Sequence, residues 1–229
     1  MKDLVSRNIM ELHGRIADAC QRYNRDADDI TVVAITKRFS AAAIRTAVAV
    51  GIHNVGESRV QEAEPKIAEA GPIARYHMVG HLQSNKAGKA VRLFDVIQSV
   101  DSLKLAVEID RQAGLIDRKI ECLIEVNCSG EEQKYGIAPD LCADLIRQIG
   151  DFPNIVLAGL MTVGPHVDDE DVIRSAYRHC HDLFQRGRET AGPQFNTLSM
   201  GMSGDFASAI AEGSTMIRVG TMIFGPRPV

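Results

Sequence analysis

The hydrophobic and polar positions of this chain follow two periods, one typical of helices and one typical of buried strands. In residues 3–23 apolar side chains recur at spacings of four and three, which predicts an amphipathic helix at the start of the chain. From Thr31 onward a short β-branched run, a turn and a helical stretch follow one another repeatedly. This repetition predicts βα units that build a parallel sheet.

Eight apolar runs have the length and residue types of strands: Thr31–Thr36, Ile52–Val55, Tyr76–Val79, Asp95–Ser99, Ile120–Val126, Ile155–Met161, Thr197–Met200 and Met216–Val219. Helical stretches lie between them, with Ser40, Ser84 and Asp101 as candidate N-caps. The pattern favours an α/β fold, a single (β/α)8 TIM-type barrel over residues 1–229, with residues 1–25 as an extra helix packed on it. An open doubly wound sheet shares the local pattern, and periodicity leaves that alternative open.

Composition supports this fold class and points to a small ligand. A hydrophobic fraction of 45% with 5% aromatics and no Trp suits the Val-, Ile- and Leu-rich core of parallel strands. The net charge is −4 and the charges are mixed, so no basic surface for nucleic acid is predicted. Five cysteines without a CxxC pair predict reduced thiols in a cytoplasmic protein. The N-terminal residues lack the apolar stretch of a signal peptide or membrane span.

Lys37 is the first candidate for chemistry, because functional groups in a parallel barrel lie at the carboxyl ends of the strands. It directly follows the apolar segment VVAIT, so we expect its amine at the mouth of the barrel with an apolar wall behind it. Desolvation there lowers the pKa of a lysine and favours a neutral amine that can form an imine. A lysine whose stem merely covers the strand end is the alternative.

The C-terminal segment carries the features of a phosphate site. Ser203 lies where a helix is expected to begin after the seventh strand, and Gly220-Thr221 follows the eighth. Barrels commonly bind phosphate with backbone N–H groups at these two places. An ordinary N-cap and an ordinary turn are the alternative.

Arg218 lies within the eighth strand, on the face opposite to Ile217 and Val219. A buried strand rarely holds an arginine that has no partner. It either faces a ligand or forms an ion pair with an internal carboxylate such as Glu57 or Asp205.

The histidines do not predict a metal site. His77 and His81 lie on either side of a strand end, where their spacing does not bring both rings to one side. His179 and His181 lie two apart in a predicted helix and point in different directions. We expect core and loop roles for His77 and His81.

Six segments together closely resemble the pyridoxal phosphate homeostasis protein family. They are AITK ending at Lys37, GESRVQE at 56–62, HMVGHLQSNK at 77–86, KYGI at 134–137, GLMTV at 159–163 and LSMGMSGDFASAIAEGSTMIRVGTMIFG at 198–225. The resemblance runs from about residue 30 to the C-terminus, and the last segment is long and highly specific. It implies a barrel related to the N-terminal domain of alanine racemase.

The resemblance also implies a cofactor and its site. It places pyridoxal 5′-phosphate (PLP) as an imine on Lys37, its phosphate at Ser203 and the Gly220-Thr221 turn, and Arg218 at the pyridine nitrogen. The implied cofactor-binding residues are Lys37, Ser58, Met202, Ser203, Arg218, Gly220 and Thr221. Family members often have asparagine where this chain has Ser58, and a second lysine with proline where it has Arg38-Phe39-Ser40.

The implied function is a non-catalytic PLP carrier that takes part in the intracellular homeostasis of PLP (vitamin B6) and of amino and keto acid pools. PLP-dependent enzymes are its candidate partners, and we expect a cytoplasmic monomer that binds neither nucleic acid nor membrane. A small PLP-dependent amino-acid racemase is one alternative, and it needs a second base opposite Lys37. A sugar-phosphate barrel enzyme is another, and it would not bind PLP covalently.

Overall fold

The computed structural model describes residues 2–226, with eight strands and nine α-helices in that part of the chain. The strands are β1 (Thr31–Ile35), β2 (Asn54–Glu57), β3 (Arg75–Met78), β4 (Val96–Val100), β5 (Ile120–Glu125), β6 (Ile155–Met161), β7 (Thr197–Ser199) and β8 (Met216–Val219). The helices are α1 (Lys2–Arg22), α2 (Ala41–Ala49), α3 (Val60–Ala70), α4 (Ala87–Leu93), α5 (Leu103–Gly114), α6 (Cys142–Gly150), α7 (Glu170–Ala191), α8 (Phe206–Ala211) and α9 (Thr221–Phe224). Within residues 2–226 no helix combines the length and the apolar character that a bilayer crossing needs.

The strands form one closed parallel barrel in chain order, and β8 pairs with β1 to complete it. The (β/α)8 prediction is therefore confirmed over the open doubly wound sheet. Side chains alternate between the two faces of each strand, so Val33 and Ile35 of β1 point into the barrel while Val32 and Ala34 pack outward. The outward face is apolar because the helices cover it, whereas the inward face also holds buried polar side chains such as Gln98 and Arg218.

The N-terminal helix packs on the barrel next to the end of the chain. Val5, Ile9, Leu12 and Ile16 of α1 are buried in a cluster with residues of β1, β8, α8 and α9. The apolar face predicted from the spacing is the face that is buried. That residues 1–229 fold as one domain stays a prediction, and residues 1 and 227–229 lie outside the described part of the chain.

The register between β5 and β6 shifts by one residue, and a glycine makes the shift possible. Cys122 pairs with Leu157, whereas the next residue, Leu123, pairs with Gly159. Gly159 has a φ of +154°, and a Cβ there would lie 1.7 Å from the carbonyl oxygen of Thr197 on β7. Only glycine allows three strands to approach so closely at this point.

Of the three predicted N-caps, Ser84 and Asp101 are wrong, and Ser40 occupies an N-cap position without capping through its side chain. Ser40 precedes α2 but its side chain makes no capping hydrogen bond. Ser84 lies inside a 3-10 turn (Ser84–Lys86) that precedes α4. Ser102, one residue after the predicted Asp101, caps α5 by accepting from the N–H of Leu105. The Asp101 carboxylate instead lies 3.0 Å from Nδ1 of His81.

Candidate functional site

A cavity of about 1030 Å³ opens at the carboxyl ends of the strands, where a parallel barrel carries its functional groups. It is lined by residues at or after the carboxyl ends of β1, β2, β3, β5, β6, β7 and β8. All seven residues of the predicted set line it: Lys37, Ser58, Met202, Ser203, Arg218, Gly220 and Thr221. The structure therefore brings the predicted residues together, and their contacts with a ligand remain a prediction.

The backbone that carries Lys37 is held by a buried ion pair. Lys66 of α3 donates to Oε1 of Glu57 at 2.6 Å and to the carbonyl oxygen of Thr36 at 2.8 Å. The hydroxyl of Thr36 donates to the same Glu57 oxygen at 2.6 Å. Lys66 and Glu57 are 9% and 0% exposed, so the peptide group just before Lys37 is fixed from within the protein.

Lys66 was not among the candidate residues predicted from the sequence. Its position carried a signal, because it lies on the same face of α3 as the buried residues Val60 and Ala63. A lysine on the apolar face of a helix needs an internal partner. Glu57, which the sequence offered as a partner for Arg218, is that partner.

The turns after β7 and β8 are joined by a hydrogen bond between two hydroxyl groups. The hydroxyl of Thr221 donates to that of Ser203 at 3.2 Å. A Cβ on Gly220 would lie 3.3 Å from the carbonyl oxygen of Ile35, so this turn passes close to β1. Among the described residues, the backbone N–H groups of Ser203, Gly204 and Thr221 make no hydrogen bond within the protein. They are donors that a phosphate could use.

Ser203 does not begin a helix, contrary to the sequence expectation. α8 begins at Phe206, and the N–H groups of Asp205 and Phe206 donate to the carbonyl oxygen of Met202. The Asp205 carboxylate accepts from the N–H of Met202 at 2.6 Å, so this turn is closed on itself. Ser203 lies within this turn and lines the cavity.

Arg218 is held inside the barrel by neutral groups. It is 5% exposed, and it donates to the hydroxyl of Ser199 at 2.7 Å and to the carbonyl oxygen of Thr162 at 2.8 Å. Within residues 2–226 it forms no ion pair, so the predicted alternative of a bridge to Glu57 or Asp205 is wrong. Asp205 accepts instead from the phenol of Tyr177 at 2.7 Å. Burial lowers the pKa of Arg218 from its ordinary value.

A chain of hydrogen bonds continues from Arg218 across the barrel interior. Ser199 donates to Oε1 of Gln98 at 2.7 Å, and Nε2 of Gln98 lies 2.9 Å from Nδ1 of His77. Nε2 of His77 lies 3.0 Å from Oδ1 of Asn54. Burial lowers the pKa of His77 to about 3, so the ring is neutral and can accept at one nitrogen while donating at the other. Every link has one donor and one acceptor, which fixes the orientation of Arg218.

Glu125 is a cavity residue that sequence analysis missed. It ends β5, lines the cavity and is 6% exposed. Its Oε2 has no hydrogen-bond partner among the described residues. Desolvation raises the pKa of Glu125 to about 7, although the charge of Arg218 opposes the shift. The signal was a carboxylate at an inward position of the otherwise apolar segment CLIEV.

The rim of the cavity carries a stacked pair of rings from two loops. The rings of His81 and Tyr135 are 4.0 Å apart and nearly parallel, and both residues line the cavity. Lys134 donates to the carbonyl oxygen of Gly164 at 2.7 Å, and this hydrogen bond fixes the loop that carries Tyr135. The structure thus places His77 in the barrel interior and His81 at the rim.

Comparison with known proteins assigns the chain to a family. The family model described as alanine racemase, N-terminal domain, matches residues 14–228. The pyridoxal phosphate homeostasis protein of Pasteurella multocida is 35% identical over 97% of this chain and 97% of its own length. That of Vibrio cholerae is 36% identical over 97% of this chain and 96% of its own length. The chain belongs to the pyridoxal phosphate homeostasis protein family. The resemblance found in the sequence is confirmed over nearly the full length.

Solved structures agree with the family assignment. PipY of Synechococcus elongatus, solved with PLP bound, is 36% identical, covers 96% of this chain and 100% of its own, and has a TM-score of 0.83. A protein of Bifidobacterium adolescentis described as unknown is 37% identical over 97% of this chain and 95% of its own, with a TM-score of 0.90. An alanine racemase of Clostridium difficile shares the fold, with a TM-score of 0.76 at 14% identity over 95% of this chain and 60% of the racemase.

Proposed function

We propose that this chain binds PLP as an imine on Lys37 and serves in the intracellular homeostasis of that cofactor, without using it as a catalyst. One observation carries the proposal: an amine, two linked hydroxyls and a buried guanidinium line a single cavity. The names of the relatives and the PLP in PipY support the choice of ligand.

The residues of the cavity fit the chemical groups of PLP. A volume of about 1030 Å³ is ample for a ligand of this size. Ser203, Thr221 and the N–H groups of their turns would hold the phosphate, and Arg218 would face the ring nitrogen. Met202 and Ser58 would contact the remaining edges of the ligand. When bound, the cofactor supplies an aldehyde that condenses reversibly with an amine.

The arginine supports a carrier over a catalyst. A permanent cation beside the ring nitrogen disfavours protonation of that nitrogen, which weakens the ring as an electron sink. Ser199 of β7 and Thr162, which follows β6, both accept from the guanidinium, so it cannot easily turn away. Retention of the aldehyde on Lys37 is therefore favoured over carbanion chemistry.

The test is to mix the purified protein with PLP, record the near-visible imine band, reduce it with borohydride and map the adduct. We expect the adduct on Lys37 and loss of the band in Lys37→Ala. Lys86→Ala is the matched control, because Lys86 lines the same cavity, and its band should persist. No band, or an adduct that survives the loss of Lys37, would remove the cofactor assignment and favour a sugar-phosphate barrel enzyme.

A racemase remains the second candidate because one observation favours it. His81, with Asp101 3.0 Å from its Nδ1, lines the cavity and could serve as the second base that racemisation needs. The PLP-loaded protein should be assayed with L-alanine for D-alanine formation, beside His81→Asn. Turnover that the variant loses would establish the racemase, and absence of turnover in both supports the carrier.

We further propose PLP-dependent enzymes as recipients of the cofactor and the cytoplasm as the place of transfer. All five cysteines are unpaired in the structure, which suits a reducing compartment. The check is the rate at which the loaded protein activates a PLP-free transaminase. Transfer faster than release of PLP into buffer supports direct delivery, whereas equal rates indicate that the protein only buffers free PLP.

A further inference from the structure

Glu125 is a buried carboxyl group at the cavity whose Oε2 has no partner among the described residues. A buried polar atom usually has a hydrogen-bond partner, because leaving it unpaired is costly. The residue ends β5, and it lies close enough to Arg218 for the two charges to interact. The guanidinium of Arg218 donates to Ser199 and Thr162, so among the described residues Glu125 and Arg218 share the cavity without an ion pair.

The surroundings of Glu125 decide how its charge responds to pH. The charged groups that act on Glu125 are Arg218 of β8 and Asp101 after β4. Asp101 contacts His81, which lines the same cavity together with Lys37 and Tyr135. Asp205 after β7 acts on Arg218, and His77 of β3 lies in the barrel interior. Burial is the largest influence and raises the pKa of Glu125 to about 7, with the charge of Asp101 adding to it. His77 stays neutral because burial lowers its pKa to about 3.

We propose that Glu125 is an additional ligand-binding residue of this cavity and that it forms, with Arg218, the charge pair facing the bound cofactor. When Glu125 is neutral, the pair has a net charge of +1 and attracts an anionic ligand. When Glu125 has lost its proton, the pair has no net charge and holds that ligand less well. The inference rests on the proposed function, because it takes PLP as the ligand.

The test uses pyridoxine 5′-phosphate, the alcohol analogue of PLP, which forms no imine with Lys37. Its dissociation constant is measured by titration calorimetry from pH 6 to pH 8 for the wild type and for Glu125→Gln, a neutral side chain of the same shape. Titration of the ligand phosphate affects both proteins alike, so the ratio of the two constants isolates Glu125. We expect the wild type to lose affinity relative to the variant by about tenfold across this range.

Two further variants make the result decisive. Glu62→Gln removes a carboxylate from the exposed rim of the same cavity. Any change in its dissociation constant is the general effect of losing a cavity charge, and this change is subtracted from that of Glu125→Gln. Glu125→Met replaces Glu125→Gln if the latter does not fold. A ratio that does not change with pH overturns this inference, as does failure of the analogue to bind any of the proteins.

The same samples separate this inference from the proposed function. If PLP gives a borohydride-stable adduct on Lys37 in both proteins while the ratio stays constant, the cofactor assignment stands and Glu125 has no role in binding. If PLP gives no adduct in the wild type but the analogue binds with the expected ratio, Glu125 acts in the cavity and Lys37 does not.

Discussion

At the scale of single residues, the buried ion pair of Lys66 and Glu57 should make a large contribution to stability. Lys66→Met leaves Glu57 as a buried carboxylate without its counter-ion. Breaking a buried ion pair from one side costs roughly 3–5 kcal/mol of the free energy of unfolding. Urea denaturation followed by circular dichroism measures the loss.

Two comparison variants test the cause. Lys89→Met breaks the exposed pair with Glu64 and should cost no more than about 1 kcal/mol. The double variant Glu57→Gln/Lys66→Met removes both charges and should recover most of the loss. If the double variant is as unstable as Lys66→Met, packing rather than the unpaired charge is responsible.

Glu125 gives stability a pH dependence even without ligand. Its pKa is raised from an ordinary 4.5 to about 7, so the unfolded chain releases this proton first as the pH rises. The free energy of unfolding therefore falls between about pH 4.5 and pH 7 and then levels off. Glu125→Gln lacks this loss, so its stability relative to the wild type should rise by about 2–3 kcal/mol from pH 5 to pH 8.

Urea unfolding of both proteins at pH 5, 6, 7 and 8 checks that expectation. The difference between the two proteins matters, because all other ionisable groups titrate in both. A difference that stays constant with pH would mean that the carboxyl group titrates in its ordinary range in the folded protein.

The sequence allowed the residues at strand ends to be predicted better than the residues that support them. Lys37, Ser203 and Arg218 lie where barrel geometry places functional groups, so position singled them out. Lys66 and Glu125 act through partners on other elements, and such partners are visible only once the chain is folded. A charged residue in an apolar pattern was the available signal in both cases.

At the scale of elements, strands were predicted within about two residues, because buried parallel strands are nearly continuous apolar runs. Helix starts were less predictable. Ser102 and Asp101 both suit an N-cap, but Ser102 caps α5. The Asp101 carboxylate contacts His81, which follows a different strand. A local pattern carries no information about such a contact.

Gly159 is the element-scale position that should tolerate substitution least. In Gly159→Ala the new methyl group would collide with the Thr197 carbonyl, and moving it requires separating β6 from β7. We expect a loss of roughly 3–5 kcal/mol in the free energy of unfolding. Gly150→Ala at the end of α6 meets no atom within 4 Å and should instead be neutral or stabilise by up to about 1 kcal/mol. Similar effects of the two changes would contradict the tight contact.

At the scale of the whole molecule, closure of the barrel could not be derived from periodicity. It depends on the pairing of β1 with β8, whose residues Val33 and Arg218 are far apart along the chain. The number of predicted strands favoured a closed barrel, and the barrel is closed in the structure. The cavity depends on the same pairing, since Lys37 and Arg218 come from the two strands that meet there.

We expect the protein to be a monomer in solution. Its large exposed apolar side chains are spread over several elements, among them Met10 of α1, Leu115 after α5 and Val172 of α7. A stable dimer generally buries a continuous apolar surface. Sedimentation equilibrium should give one species near 25.0 kDa, and a mass near twice that value would contradict the prediction.

We also expect the chain to unfold as one cooperative unit, because its first and last helices share one hydrophobic cluster. Leu12 of α1 is fully buried in the cluster that contains Ile217 of β8 and Ile223 of α9. Loss of α1 would therefore expose the seam where the barrel closes. Leu12→Ala should lower the free energy of unfolding by about 2–5 kcal/mol.

The measurement that checks this prediction follows urea unfolding with two probes: far-ultraviolet circular dichroism for the helices, and the fluorescence of the four tyrosines for the tertiary packing. Coincident transitions in the wild type, both displaced equally by Leu12→Ala, would establish one domain. A separate early loss of helix signal, with the tyrosine transition unchanged in the variant, would show that α1 unfolds from an independently stable barrel.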